Sequence, residues 1–140
     1  MPRKMTWIRD PDAGGVKIPN DVKVRTTARI ERCAEKHFKG RYSRIDVRFR
    51  GVFCYIDAYR DPGPQVYVPQ GMSPAEVIER QRTIPTHLCR LRYYGNEEEW
   101  SMGFFRYSDE KYELCMFQSG DFWGTPEEAF EIAAGVYLEG

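Results

Sequence analysis

Four polar residues have the types and spacing for acid–base chemistry on an anionic substrate. Asp57 and His87 lie in two separate predicted strands and form a candidate acid–base pair. Arg90 and Arg92 alternate along the second of these strands, where they would supply a clamp for an anion. A structural explanation competes, because Arg44 is predicted to lie opposite Asp57 as its ion-pair partner. A histidine at a strand start also more often makes a cap or a core hydrogen bond, so no catalytic residue is assigned.

A second constellation consists of arginines and aromatic rings on one face of the predicted sheet. If the helices cover the other, aliphatic face, these side chains share the uncovered one. Rings beside arginines on an open sheet are typical of single-stranded nucleic-acid platforms. Cation–π pairs on a solvated face, or a homodimer interface, explain the same residues. The residues are Arg44, Arg48, Phe53, Tyr55, Tyr59, Arg90, Arg92, Phe105 and Tyr107.

A third hypothesis is a pocket for a small apolar ligand between a curved sheet and a helix. Aromatic residues make up 14% of the chain and would line such a pocket well, but filling a small core explains them too. The chain contains no phosphate-binding loop, dinucleotide fingerprint, nucleophile elbow or H-E-x-x-H motif. We therefore expect no cofactor, and the leading hypothesis is a non-enzymatic binding or interaction module. An enzyme using Asp57, His87 and Arg90 remains an alternative.

The cysteines and histidines give no sequence indication of a metal site. No C-x-x-C pair occurs, and neither His37 nor His87 has the spacing of a zinc ligand. Free thiols inside periodic segments behave as small hydrophobes, so we expect structural thiols and no metal. The four cysteines are Cys33, Cys54, Cys89 and Cys115.

The elements that must position these residues begin with a hairpin over Ile45–Tyr59. Apolar and charged residues alternate up to Gly51, which is the period of a strand with one wet face. A tight turn at Arg50–Gly51 is predicted. In the resulting register Arg44 faces Asp57.

A three-stranded meander should follow the hairpin. Its predicted register pairs Phe104 with Cys115 and places His87 beside Arg106 on the core face. Arg106 then faces Glu113 across the strands in an ion pair. The predicted strands are 87–94, 100–107 and 111–118.

Three helices complete the predicted fold. With Asn20 or Asp21 as N-cap, the first helix runs to about Phe38. Capping boxes that begin at Ser73 and Thr125 predict a short helix near 74–82 and a last helix to about residue 138. The sequence thus predicts an α+β domain in the order α-β-β-(short α)-β-β-β-α. It consists of a five-stranded, mostly antiparallel sheet with the N- and C-terminal helices on one face.

The remaining segments are expected to belong to one domain spanning residues 1–140. Residues 1–19 read as an irregular arm anchored by Trp7 and Ile8. Residues 61–85 form a proline-rich crossover around the short helix, and its length suits either a lid or, as we expect, a plain connection.

Composition indicates an ordinary soluble protein. The formal net charge is zero, yet residues 1–50 hold 14 Lys and Arg against 6 Asp and Glu, and the remainder holds the reverse excess. This asymmetry is typical either of a polyanion-binding half or of basic and acidic elements that neutralise each other. The absence of a long apolar run or a secretory signal predicts a cytoplasmic protein without a membrane span.

Several segments together resemble a family of small uncharacterised prokaryotic proteins over nearly the whole chain. The resemblance implies one cytoplasmic domain, and it brings no activity, cofactor or catalytic residue with it. It rests on WIRDPDAGGVKIP at 7–19, RFRGVFCYIDAY at 48–59, PTHLCRLRYYG at 85–95 and FWGTPEEAF at 122–130.

Overall fold

An antiparallel sheet with the two long helices on one face forms the fold, which confirms the predicted α+β class and element order. The computed structural model describes residues 10–61 and 67–138. The five strands lie in the sheet in chain order, and all neighbours are antiparallel. The elements are α1 (Asn20–Phe38), β1 (Tyr42–Arg50), β2 (Phe53–Arg60), α2 (Pro74–Thr83), β3 (Thr86–Arg92), β4 (Ser101–Arg106), β5 (Lys111–Cys115) and α3 (Pro126–Tyr137).

The core lies between the sheet and the helices α1 and α3. Phe38 of α1 meets Phe130 of α3 edge to face, with ring centroids 5.6 Å apart. Tyr137 of α3 stacks on Phe104 at 5.2 Å and donates its hydroxyl hydrogen to the Phe105 carbonyl at 2.6 Å. These contacts hold α3 against one side of the sheet. The side of the sheet opposite these helices is the outer face.

Local sequence signals explain most of the helix ends. Both capping boxes are confirmed, at Ser73 for α2 and at Thr125 for α3. The N-caps predicted for α1, Asn20 and Asp21, are wrong. The Pro19 carbonyl already accepts the first helical backbone hydrogen bond at 3.0 Å, so the helix starts at Asn20 itself.

The N-terminal arm is irregular over its described residues, 10–19. The backbone N–H groups of Val16 and Ile18 donate to backbone carbonyls at 2.8 and 3.1 Å. Ile18 is only 1% exposed and anchors the arm in the core. The predicted anchors, Trp7 and Ile8, lie outside the described residues.

The proline-rich crossover contains the predicted short helix. This helix, α2, contacts β2, and Val77 is its buried residue. Residues 62–66 of the crossover lie outside the described part of the chain. Among the helices of the described residues, none combines the length and the apolar character needed to cross a membrane.

The β1–β2 hairpin turns at Gly51–Val52, one residue later than predicted. The pairing therefore differs from the prediction by two residues, while every side chain keeps its predicted face. Gly51 has φ +62, and a two-residue turn with positive φ at its first position favours glycine there. As a consequence, Asp57 lies opposite Asp46. Its predicted partner, Arg44, lies opposite Tyr59.

The register of the meander is partly as predicted. The β3–β4 pairing is confirmed, but the β4–β5 pairing differs by two residues, so that Phe104 faces Glu113 instead of Cys115. The turn between these strands starts one residue earlier than predicted and contains Glu110 at φ +54. Arg106 and Glu113 still form the expected ion pair, along a diagonal at 2.6 Å.

A β-bulge at Leu88 moves His87 to the outer face, so its predicted position on the core face is wrong. Ile56 pairs with Cys89, and the next pair is Asp57 with His87, which leaves Leu88 as the extra residue. Leu88 and Cys89 are both fully buried. Since an extra residue reverses the alternation beyond it, His87 turns away from the core and lies beside Asp57.

Candidate functional site

The predicted arginines and aromatic rings share the outer face, where they stack on one another. The guanidinium carbon of Arg44 lies 4.2 Å from the centre of the Tyr59 ring. That of Arg48 lies 5.4 Å from the Tyr55 ring centre. Guanidinium groups at these distances are attracted by the negative faces of the rings.

Phe53 is covered by two arginines at once. The guanidinium carbons of Arg90 and Arg92 lie 4.3 and 4.7 Å from its ring centre. Arg90 also contacts the ring of Tyr112, at 5.2 Å. The arginines and rings of the outer face therefore form a connected set of cation–π pairs, in which guanidinium groups cover several of the ring faces.

The N-terminal arm occupies the end of the outer face at Arg92. The Arg92 guanidinium donates to the backbone carbonyls of Gly14 at 2.9 Å and Asp12 at 3.3 Å. Its side chain is only 15% exposed. Arg92 therefore fixes the arm, and its part in an anion clamp stays a prediction.

Asp57 is the buried centre of a polar group on the outer face. Its side chain is 4% exposed, and its two carboxylate oxygens have separate partners. Oδ2 accepts a hydrogen bond from Arg48 Nη2 at 2.9 Å, and Oδ1 lies 2.9 Å from His87 Nδ1. The partner predicted from the sequence, Arg44, is replaced by Arg48 because of the shifted hairpin register. Buried carboxylates require such partners to offset the loss of solvation.

His87 is held on three sides. Because the Asp57 carboxylate accepts from Arg48 and faces Nδ1, the hydrogen on the neutral ring belongs on Nδ1, and Nε2 is left as an acceptor. The ring centre lies 4.9 Å from that of Phe105. The backbone N–H of His87 donates to the hydroxyl of Tyr107 at 2.7 Å, and burial raises the pKa of this hydroxyl.

A cleft of about 530 Å³ opens on the outer face beside His87. Tyr112 forms part of its wall by leaning over Gly103, where a Cβ atom would lie 3.1 Å from the Tyr112 Cβ. Burial raises the pKa of the Tyr112 hydroxyl well above its usual value, so the group stays neutral. The cleft is lined by Arg48, Phe49, Arg50, Tyr55, His87, Phe105 and Tyr112.

Two arginines at the cleft carry charge without a carboxylate partner among the described residues. Arg50 is exposed at the rim, and Arg90 contacts only ring faces. Arg106, in contrast, is paired with Glu113 at 2.6 Å and approaches Asp109 at 3.7 Å. Arg50 is therefore an exposed arginine at the cleft that no described carboxylate neutralises.

The sequence prediction missed Tyr112 and Arg50 as cleft residues. Tyr112 alternates with core residues of β5, so its place on the outer face was visible from the sequence. The lean over Gly103 was not, because it depends on the β4–β5 register. Arg50 was assigned to the turn, whereas it pairs with Phe53 as the last residue of β1.

Two of the three arginines of α1 are bound to carboxylates. Arg25 binds Glu97 at 2.8 Å and Asp21 at 3.0 Å. Arg29 binds Glu98 and Glu127, each at 2.8 Å. Part of the charge asymmetry of the sequence is thus neutralised where α1 meets the acidic second half of the chain.

Comparison of the chain with protein-family models, with curated proteins and with solved structures finds no match. The resemblance to small uncharacterised prokaryotic proteins therefore stays a prediction.

Proposed function

We propose that the protein is a binding module that takes up a small organic anion with a planar ring in the outer-face cleft. The observation that carries this proposal is the joint presence of cationic and aromatic walls in one concave site. Arg48 and Arg50 would hold the anionic group. Phe105 and the ring edges of Tyr55 and Tyr112 would contact the ring.

The size and the chemistry of the cleft both support a small ligand. Ligand sites of about 300–1,000 Å³ with aromatic walls and a few polar groups are the usual form of small-molecule pockets. Arginine binds carboxylate or phosphate oxygens through paired N–H donors. Arg50 has no carboxylate partner among the described residues, so binding there would not require breaking an internal ion pair.

The outer face is less suited to an extended single strand of nucleic acid. Base stacking needs free ring faces. Here guanidinium groups already cover Phe53, Tyr55 and Tyr59, and the arm occupies the end at Arg92. Binding of single-stranded nucleic acid and formation of a homodimer through this face stay predictions, and we rank both below binding of a small anion.

The proposal predicts that phenyl phosphate binds in the cleft with a dissociation constant on the order of 1 mM, a value typical of a fragment of this size. Inorganic phosphate lacks the ring, and phenol lacks the anionic group. Each should therefore bind at least about fivefold more weakly than phenyl phosphate. Titration of the isotope-labelled full chain by NMR would measure these constants. The amide signals that shift should be those of the residues around the cleft, which come from all five strands.

Arg50→Ala tests the anion contact without disturbing an internal ion pair. It should weaken phenyl phosphate binding about tenfold, which corresponds to loss of one charge-assisted hydrogen bond. Arg32→Ala on α1 removes an exposed arginine on the other side of the sheet and should leave the affinity unchanged. Equal weakening by both variants, or shifts confined to residues outside the cleft, would reject the proposed site.

A second candidate function is proton transfer to or from a bound ligand, and the Asp57–His87 contact favours it. With Nδ1 held by Asp57, the Nε2 atom of His87 is the free basic nitrogen at the cleft wall. This arrangement resembles the base and orienting acid of hydrolases, although no serine, threonine or cysteine is among the described residues that line the cleft.

Hydrolysis of p-nitrophenyl acetate tests this second function, because the chain has two histidines to compare. His87→Ala should lower the protein-catalysed rate at least about tenfold, since a positioned base contributes that much or more. His37→Ala, which removes an exposed helical histidine, should leave the rate unchanged. Similar rates for the two variants would leave no role for the Asp57–His87 pair in acid–base chemistry.

A further inference from the structure

Three potential metal ligands meet where the C-terminal half of α1 packs against α3. Cys33 and His37 are four residues apart on α1, so they lie on the same side of the helix. Glu131 of α3 reaches the same point, and Cys33 Sγ lies 3.4 Å from its Oε2 atom. The ligand atoms of the three side chains are all within 4.8 Å of one another.

We propose that Cys33, His37 and Glu131 form a zinc-binding site. A thiol, an imidazole and a carboxylate are the three ligand types that Zn²⁺ takes in proteins, at distances of about 2.0–2.3 Å. Because the three ligand atoms already lie within 4.8 Å of one another, small side-chain rotations would place them at three corners of a tetrahedron around the ion. The fourth position would be taken by water, and the Cys33 thiol proton would pass to solvent when sulfur binds the metal.

The surroundings of Cys33 distinguish it from the other thiols. Cys54 and Cys89 are fully buried in the core. Cys33 also has low exposure, but its sulfur faces a carboxylate and an imidazole at the surface of the helix pair. Among the described groups of three ligand-type side chains, this is the one whose atoms lie close enough to share an ion.

Glu131 also has no arginine partner among the described residues. The neighbouring carboxylate, Glu127, is bound at 2.8 Å by Arg29. The hydrogen-bond partner of Glu131 among the described residues is the Cys33 thiol. A cation at this point would therefore neutralise the charge of a carboxylate that has no ion-pair partner among the described residues. Lys36 is the nearby positive charge that would repel this cation.

Such an ion would join two helices that are distant in the chain. Cys33 and Glu131 are 98 positions apart. Zinc should therefore stabilise the packing of α1 on α3 and raise the thermal midpoint of unfolding, because it binds the folded arrangement alone. The spacing of ligands in the sequence does not predict this site, because two ligands come from one helix turn and the third comes from the other end of the chain.

Zinc titration of the full chain, after treatment with a chelator and a reductant, tests the proposal. A competing chromophoric chelator would report the affinity for Zn²⁺. Co²⁺ would report the ligands, because a thiolate ligand gives a charge-transfer band and a tetrahedral site gives intense visible absorption. We expect one equivalent of metal, a thiolate-to-cobalt band and a higher thermal midpoint with zinc.

His37→Ala is the decisive variant, because the side chain is exposed and its loss leaves the core intact. It should weaken zinc binding at least about tenfold, and Glu131→Gln should do the same. His87→Ala and Glu35→Gln are the controls, and both should bind as the unaltered chain does. The proposal is overturned if the unaltered chain takes up no zinc, or if His37→Ala binds it equally well.

Discussion

Replacing Gly124 with alanine is expected to lower the free energy of unfolding by about 3 kcal/mol, at the upper end of the usual cost of overpacking. An added Cβ would lie 2.4 Å from Phe117 Cδ2 and 2.5 Å from Cε2. Phe117 is 3% exposed, so its ring has little room to retreat. The backbone of Gly124 is also fixed, because it exchanges two hydrogen bonds with Trp100, at 2.8 and 3.0 Å.

The strain should extend to the start of α3, since Thr125 caps that helix directly after Gly124. Chemical denaturation followed by tryptophan fluorescence would measure the loss, and Trp100 is fully buried beside the altered position. Gly135→Ala within α3 is the matched control, because no heavy atom lies within 4 Å of its added Cβ. The control should raise stability by about 0.5–1 kcal/mol through helix propensity. Equal effects of the two substitutions would contradict the packing explanation.

Hydrophobic alternation was enough to predict which face of the sheet each hairpin residue occupies. Every side chain of β1 and β2 keeps its face even though the pairing is shifted by two residues, since a shift of two preserves the alternation. The choice of turn was not predictable from alternation alone. Gly51 suits either position of a two-residue turn, and the observed one places it first.

The contact between Asp57 and His87 depends on a β-bulge, which the alternation of the sequence did not predict. Asp57 and His87 were recognised by residue type, but alternation from Cys89 put His87 on the core face. The bulge at Leu88 reverses that assignment. Leu88 and Cys89 are adjacent apolar residues, and both belong to the hydrophobic core next to the bulge.

Long-range partners were the second feature beyond the reach of the sequence. Arg92 has the same residue type and spacing as Arg90, yet it binds the backbone of the N-terminal arm 78 and 80 positions away. The guanidinium group of Arg90, in contrast, lies over the rings of Phe53 and Tyr112 on the outer face. The two arginines therefore differ in function because of where the arm lies, and only the three-dimensional fold distinguishes them.

The contact between α1 and the acidic second half of the chain leads to a prediction about pH. Arg29 donates to both carboxylate oxygens of Glu127 at 2.8 Å and binds Glu98 at 2.8 and 2.9 Å. Its side chain is 18% exposed. Burial would raise the pKa of Glu127, but hydrogen bonds from Arg29 and from its own backbone hold that pKa below the usual 4.5.

Arg29→Leu is therefore expected to lower the free energy of unfolding at pH 7 by about 2 kcal/mol, between the costs of breaking an exposed and a buried ion pair. Because the Glu127 pKa is lower in the folded state than in the unfolded one, the pair contributes fully above pH 4.5. The contribution is lost as the pH falls through the lower folded-state value. The difference between the two proteins should accordingly shrink from pH 7 towards pH 3.

Urea denaturation at a series of pH values would measure this difference. Arg25→Leu is the control one turn earlier on α1, because Arg25 also binds two carboxylates but its side chain is 52% exposed. Solvent screens such a pair, so its loss should cost clearly less at every pH. A difference for Arg29→Leu that stayed constant from pH 7 to pH 3 would mean that the lost packing of the arginine side chain matters more than its charge. A difference that disappears on acidification would show that the charge pairs of Arg29 with Glu98 and Glu127 hold α1 against the acidic second half of the chain.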